Sequence, residues 1–309
     1  MTKRCFITAV FLFFALSSVF AQKDALHFIA IGDWGREGKH LQRETADVMA
    51  KYAEENPVKF IATTGDNFYE TGIKTVDDPL VKLSFEDIYT ANSLQVPWYA
   101  TLGNHDYGDN AQAQIDLTKV NNRWKMPSRY YSIEEESGDG TKIQFLFIDT
   151  NPFLIKYQKM NEKEKELFQK SVDDINSQGW EQQLKWIESS LKNCDADWKV
   201  VIGHHPVLSG GKHKGAKELQ EHLKPLLEKY GVNMYICGHD HDIQYLKENN
   251  VNYFVSGAGS ELYETGSIEQ SVFYQSINAF LSVKIYRDRA LLKFINVNGE
   301  TAFETELKP

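Results

Sequence analysis

Five short apolar runs in this 309-residue chain each lead into a glycine that is followed at once by a residue able to bind a metal. The runs are Leu26 to Ile31, Val58 to Thr63, Trp98 to Leu102, Trp198 to Ile202 and Asn233 to Cys237, and the pairs after them are Gly32-Asp33, Gly65-Asp66, Gly103-Asn104, Gly203-His204 and Gly238-His239. Runs of this length read as buried strands. Glycine lets the chain turn sharply as it leaves a strand, with no Cβ in the way. Ligands of an open α/β sheet bind at the carboxyl ends of its parallel strands, so five such turns would deliver five polar groups to one place. Singly, each motif is bland: Gly-Asp is usually an Asx turn, and His239-Asp240-His241 could be a surface cluster. For the bland reading to hold, five unrelated turns must place Asp, Asp, Asn, His and His at the same kind of strand end by accident.

Amphipathic stretches with helical spacing separate these runs, at Gly38 to Glu54, Trp180 to Lys192 and Ala216 to Tyr230. Strand alternating with helix is the pattern of an α/β protein. Towards the end the chain changes character, and β-rich runs at Asn252 to Ser256, Ala279 to Tyr286, Ala290 to Asn296 and Thr301 to Leu307 predict antiparallel strands that complete the sheets. No Pro/Gly/Ser-rich linker or solenoid-period repeat divides the sequence, so residues 22–309 are expected to form a single domain. The least core-like segment is Asn151 to Gly179, with Glu162-Lys163-Glu164-Lys165-Glu166 at its centre. Such a run is ordinarily a solvated helix or loop, and its sharper reading is a mobile cover over a site.

Residues 1–21 stand apart from this pattern. Lys3 and Arg4 precede an apolar run from Phe6 to Phe20, and Val19-Phe20-Ala21 leads to Gln22, which reads as a secretory signal peptide. The run is short for a membrane span of about 20 residues. Export to the periplasm or medium follows, with no membrane attachment after cleavage. Cleavage removes two basic and no acidic residues and moves the net charge from −9 to −11. That balance argues against a protein that coats nucleic-acid phosphates. Cys5 leaves with the leader. Cys194 and Cys237 would sit at opposite ends of neighbouring parallel strands, so they are expected as two unpaired, mostly buried thiols.

Seven residues form the candidate metal set: Asp33, Asp66, Tyr69, Asn104, His204, His239 and His241. They offer hard oxygens and imidazoles with no thiolate, which disfavours structural zinc and favours iron, manganese or catalytic zinc. Seven donors exceed the needs of one ion. With one carboxylate bridging, they divide into two sites of the kind found in two-metal hydrolases.

Gly32-Asp33-Trp34-Gly35, Gly65-Asp66-Asn67-Phe68-Tyr69, Gly103-Asn104-His105-Asp106, Gly203-His204-His205-Pro206 and Gly238-His239-Asp240-His241 together resemble the calcineurin-like metallophosphoesterases. Within that superfamily the set is similar to the purple acid phosphatases of the small tartrate-resistant type, in the family's order from Leu26 to about Ser260. The resemblance implies two packed mixed β-sheets flanked by helices, a four-layer αββα sandwich. It implies that Asp33, Asp66, Tyr69 and His241 hold Fe(III). Asn104, His204 and His239 would hold a divalent iron, zinc or manganese ion, with Asp66 between the two. It casts His105 and His213 as substrate-side catalytic histidines, and Asp106 and Asp240 as groups that orient neighbouring histidines. His205 stands where the small enzymes commonly have tyrosine, leaving open whether it touches substrate or fills space. The expected activity is hydrolysis of phosphate monoesters, on small molecules or phosphorylated peptides, by in-line attack of hydroxide at acid pH, in a monomer. Competing readings are a zinc or manganese phosphodiesterase or nucleotidase, a diiron redox or iron-binding protein with weak phosphatase activity, and a secreted binding module.

Overall fold

The computed structural model describes residues 25–154 and 171–309. The leader and the Glu162–Glu166 run lie outside the described residues, as does most of the proposed cover. Its flanks are core, because Pro152, Phe153, Leu154, Val172 and Ile175 are all buried.

The first mixed sheet is built on β1 (Leu26–Ile31), β2 (Phe60–Thr63), β3 (Trp98–Ala100) and β4 (Trp124–Lys125), paired in parallel in that order. It is completed by the antiparallel meander β12 (Ala279–Ile285), β13 (Ala290–Asn296) and β14 (Thr301–Leu307), with β12 beside β1. The second sheet centres on β6 (Lys142–Phe147), β7 (Trp198–Ile202), β8 (Met234–Cys237) and β10 (Val251–Ser256), again parallel. The Asn252 to Ser256 run, expected as an antiparallel strand, thus joins the parallel core beside β8 and is antiparallel only to its other neighbour. Antiparallel β5 (Tyr131–Glu136) flanks β6, while β9 (Ile243–Glu248) and β11 (Ser271–Gln275) extend the other edge. Both sheets have seven strands among the described residues.

The five glycine-terminated runs are therefore strands, but they divide three and two between facing sheets. Burial on both faces explains their near-continuous apolar sequences. Phe145 of β6 reaches across to meet Phe28 and Phe60 edge-on, with ring centroids 5.2 Å from each. On the outer face of the first sheet lies α1 (Gln42–Glu55), which buries Ala46, Met49 and Ala53. It starts later than the Gly38 expected from spacing because His40 and Leu41 have positive φ. Over the second sheet, Ile187 and Leu191 of α2 (Trp180–Lys192) join Leu219, Leu223 and Leu227 in one apolar cluster. The expected single helix at Ala216 to Tyr230 is two, α3 (Lys217–His222) and α4 (Lys224–Lys229). Pro225 accounts for the break: it has no N–H to continue the ladder, and its ring crowds the preceding turn.

Cys194 is half-buried, Cys237 is buried, and both are free thiols, as the parallel pairing of β7 with β8 requires. Among the described residues no helix is long and apolar enough to cross a membrane.

Candidate metal centre

The carboxyl ends of β1, β2 and β3 meet those of β7 and β8 at one edge of the sandwich. A backbone bond ties the sheets there, Gly32 N–H donating to the Ser256 carbonyl at 2.8 Å, and within the first sheet Asp33 N–H donates to the Gly65 carbonyl at 3.0 Å, linking the turns after β1 and β2. The glycines serve close approach more than backbone conformation. A Cβ on Gly103 would lie 2.0 Å from Asp66 Oδ1, and one on Gly238 would lie 2.3 Å from Asp33 Oδ2. Of the five glycines only Gly65 has positive φ, at 91°, and the left-handed conformation falls also on three ligand candidates, with φ of 59° at Asp33, 50° at Asp66 and 69° at His239.

Residues beside the candidates anchor the turns. Trp34 and Phe68 are fully buried and pack together at 5.7 Å, and Trp34 also packs on Phe85, Tyr89, Trp98 and Trp124. Asp33 and Tyr69 are thereby turned the other way, out of this aromatic cluster. Tyr69 is not a packing partner of Phe68. Its hydroxyl oxygen lies 3.2 Å from Asp33 Oδ1, 3.1 Å from Asp66 Oδ2 and 3.1 Å from His241 Nε2. A second group adjoins it. His204 Nε2 lies 3.2 Å from Asn104 Oδ1, 3.1 Å from His239 Nδ1 and 3.5 Å from Asp66 Oδ2.

Hydrogen-bond arithmetic shows what these groups lack. The Tyr69 phenol has one proton, yet two carboxylate oxygens and an imidazole nitrogen face it. His204 Nδ1 is 2.9 Å from the Thr64 carbonyl, which can only accept, so Nδ1 carries the proton, and in the neutral ring Nε2 presents a lone pair to two more acceptors, Asn104 Oδ1 and Asp66 Oδ2. Lone pairs directed at one another in a buried place call for cations. The spacing suits them too: donors about 2.1 Å from a shared ion stand roughly 3.0 Å apart in an octahedron and 3.4 Å in a tetrahedron. Electrostatics agree. Burial drives the Asp33 carboxyl well above the carboxylate range, opposed by His204 and reinforced by Asp66. Burial would raise Asp66 as well, but His204 and His105 hold it below the usual value. Burial pushes the Tyr69 phenol far up, with the two carboxylates adding, and pulls His241 down to about 4.

Two further histidines flank the groups. His105 Nδ1 is 2.6 Å from the Glu70 carbonyl, so Nδ1 is its protonated nitrogen, and Nε2 lies 4.0 Å from Asp66 Oδ2. Its ring packs on Tyr69 at 4.6 Å. His213 is exposed, with its ring 4.4 Å from that of His239. His205 is buried under His239 at 4.3 Å, with Nδ1 bonded to Thr150 Oγ1 at 2.8 Å. Of its two expected roles, this placement matches filling space. Its ring nitrogen nonetheless forms, with His204 and His239, a cluster whose ligand atoms lie within 4.8 Å of one another.

Asp106 and Asp240 both act on backbone N–H groups, in Asp240's case that of a neighbouring histidine. Asp106 accepts from the N–H groups of Asn67 at 3.0 Å, Phe68 at 3.2 Å and Gly103 at 2.8 Å, locking two ligand-bearing turns together. Burial and Asp66 raise its carboxyl to about 7. Asp240 accepts the His213 N–H at 2.7 Å and the Ser209 hydroxyl. Sequence reasoning missed Tyr263, which stacks on His241 at 4.0 Å, and Arg36, which lies over Tyr69. Neither carries a spacing signal.

Comparison with known proteins places this arrangement. The family model for calcineurin-like phosphoesterases matches residues 26–242, a stretch that holds all seven candidate ligands. Purple acid phosphatase 3 of Arabidopsis thaliana is 36% identical over 281 residues, covering 88% of this chain and 75% of that protein. Tartrate-resistant acid phosphatase type 5 of Homo sapiens is 33% identical over 310 residues, covering 92% and 91%. Among solved structures, GAP50, the anchor in the inner membrane complex of Plasmodium, superposes with a TM-score of 0.77 at 26% identity, covering 93% of this chain and 89% of that one. The chain belongs to the calcineurin-like phosphoesterases, among the purple acid phosphatases and their tartrate-resistant relatives. It is a hydrolase, a metal-dependent acid phosphatase.

Proposed function

We propose that this protein is an exported, monomeric, single-domain acid phosphatase that hydrolyses phosphate monoesters at a centre of Fe(III) and a divalent iron, zinc or manganese ion. Asp33, Asp66, Tyr69 and His241 would hold the ferric ion, and Asn104, His204, His239 and Asp66 the divalent one. The observation that carries this reading is the place of Asp66. Its Oδ2 is 3.1 Å from the Tyr69 hydroxyl and 3.5 Å from His204 Nε2, so one carboxylate oxygen belongs to both donor groups.

When bound, such a pair supplies Lewis acidity: positive charge for phosphate oxygens and activation of water below neutral pH. The chain's own residues do the rest. With Nδ1 fixed on the Glu70 carbonyl, His105 has Nε2 free to receive a proton in mild acid and give it to the departing alkoxide. His213, beside His239, offers a second donor to a phosphate oxygen. Asp106 keeps the turns of Asp66, Tyr69 and Asn104 in register. The leader at Met1 to Ala21 supports export, and a ferric centre is easier to keep oxidised outside the cytoplasm.

Metal analysis with a visible spectrum, followed by turnover on mono- and diesters across pH, tests the reading. Iron with a second metal, a purple-to-pink band and monoester turnover peaking in acid are expected. A colourless protein holding only zinc or manganese and preferring diesters would overturn it.

A further inference from the structure

Tyr69 carries a buried cation on its ring. Arg36 closes the Gly32-Asp33-Trp34-Gly35 turn, and its guanidinium carbon lies 3.6 Å from the Tyr69 ring centroid. The start of Arg36 is fixed, because its backbone N–H donates to the Trp34 carbonyl at 2.9 Å and to Gln42 Oε1 at 3.0 Å. Two carboxylates hold the far end: Nη1 donates to Glu70 Oε1 at 2.5 Å, and Nη2 lies 2.9 Å from Glu261 Oε2. The side chain is only 9% exposed, whereas Glu70 is 70% exposed. Three loops, after β1, β2 and β10, thus converge to press one planar cation against one aromatic ring. An arginine serving only to neutralise surface carboxylates would have no reason to be buried there.

We propose that Arg36 is a positioning residue that sets how strongly Tyr69 donates electrons to the metal it holds. This rests on the reading that Tyr69 binds a ferric ion as phenolate. A cation over a π face stabilises the filled ring orbitals. Those orbitals supply the electron in phenolate-to-ferric charge transfer, so Arg36 widens the gap and moves the band to shorter wavelength. It also leaves less electron density on the metal, which makes the ferric ion more readily reduced. Glu70 and Glu261 hold the guanidinium flat and temper its charge.

The test compares visible spectra and iron content of the purified, iron-loaded full chain with those of variants. Arg36→Met keeps the stem and removes the cation, while Arg36→Lys keeps a charge but lacks the flat fork. A cation–π stabilisation is about 2–4% of the energy of a visible photon, so Arg36→Met is expected to move the band about 10–20 nm to longer wavelength. Arg36→Lys should move it less, and Arg36→Met should be reduced less readily by a mild reductant. A merely structural arginine would change iron content or stability and leave the band in place. An iron-loaded Arg36→Met variant with an unmoved band overturns the proposal. Should that variant fail to load iron, the double variant Glu70→Gln/Glu261→Gln decides. Its untempered cation should move the band to shorter wavelength, and an unmoved band overturns the proposal. An iron-loaded wild type with no visible band instead overturns the Tyr69 reading, and this proposal with it.

Discussion

His27 on β1 gives this acid phosphatase an acid limit to its stability. The ring is 6% exposed. Nδ1 lies 3.0 Å from the Pro57 carbonyl and Nε2 lies 2.9 Å from Ser282 Oγ, which is also 2.9 Å from the Tyr52 hydroxyl. The carbonyl only accepts, so Nδ1–H donates to it and Nε2 accepts the serine proton, a complete set for the neutral ring. Burial first, then the charge of Lys284, pulls the pKa from 6.5 to about 3, against the Pro57 carbonyl. Below pH 6.5 the unfolded chain protonates this histidine while the folded chain resists. Stability is therefore complete above 6.5 and is lost as pH falls towards 3. Between pH 7 and pH 5 the loss is about 2 kcal/mol, almost independent of the folded value so long as it stays below about 4. That corresponds to a fall of about 3 °C in thermal midpoint for a chain of this size. Urea unfolding of wild type and His27→Gln at both pH values isolates the effect. Glutamine keeps an acceptor for Ser282 but cannot titrate. The variant should start about 1–2 kcal/mol less stable at pH 7 for want of the Pro57 bond, and the gap should close by about 2 kcal/mol at pH 5. Equal pH slopes in the two proteins would refute the assignment.

Three other substitutions probe the centre. Asp106→Ala leaves the N–H groups of Asn67, Phe68 and Gly103 and the Gln114 amide without their shared acceptor. It should cost about 3–5 kcal/mol in denaturant unfolding and lower metal content; a variant normal in both would contradict the role given to Asp106. His105→Ala should lower kcat by about 10²- to 10⁴-fold with metal content unchanged, whereas loss of metal would show His105 to be a structural support of the centre. Asp66→Asn should abolish both metal loading and turnover, and wild-type activity in that variant would sink the shared-carboxylate reading.

The strands that place the centre were legible because burial on both faces writes them as apolar runs ended by glycine. The division into two sheets was not legible from the runs themselves, since a run records that both faces are covered and not what covers them. β6 escaped notice for a related reason: Lys142-Ile-Gln-Phe-Leu-Phe147 runs on into Ile148 and Asp149 with no glycine to close it. β9 and β11 lie towards an edge, where polar residues such as Gln244, Lys247 and Gln275 dilute the pattern. The helix over Ala216 to Tyr230 failed at Pro225, a signal present in the sequence and outweighed by periodicity.

The seven donors were readable because each sits one to four residues from a glycine that close packing demands. Arg36 and Tyr263 act through ring faces, at 3.6 Å and 4.0 Å, and a ring contact imposes no spacing on the sequence. The glycines also hid where the strain lies. They suggest that the sharp turns fall on residues free to make them, yet Asp33, Asp66 and His239 themselves adopt positive φ, at roughly 1–2 kcal/mol each. Add two buried carboxylates with opposed titrations, and the centre is costly to the fold that holds it. What keeps it in shape is not local. The Trp34 cluster behind the turns, the Asp106 bonds between them and the Gly32–Ser256 link across the sheets fix the backbone from three sides. The donors are thus placed by the core before any ion arrives, so loss of metal should lower stability without collapsing either sheet.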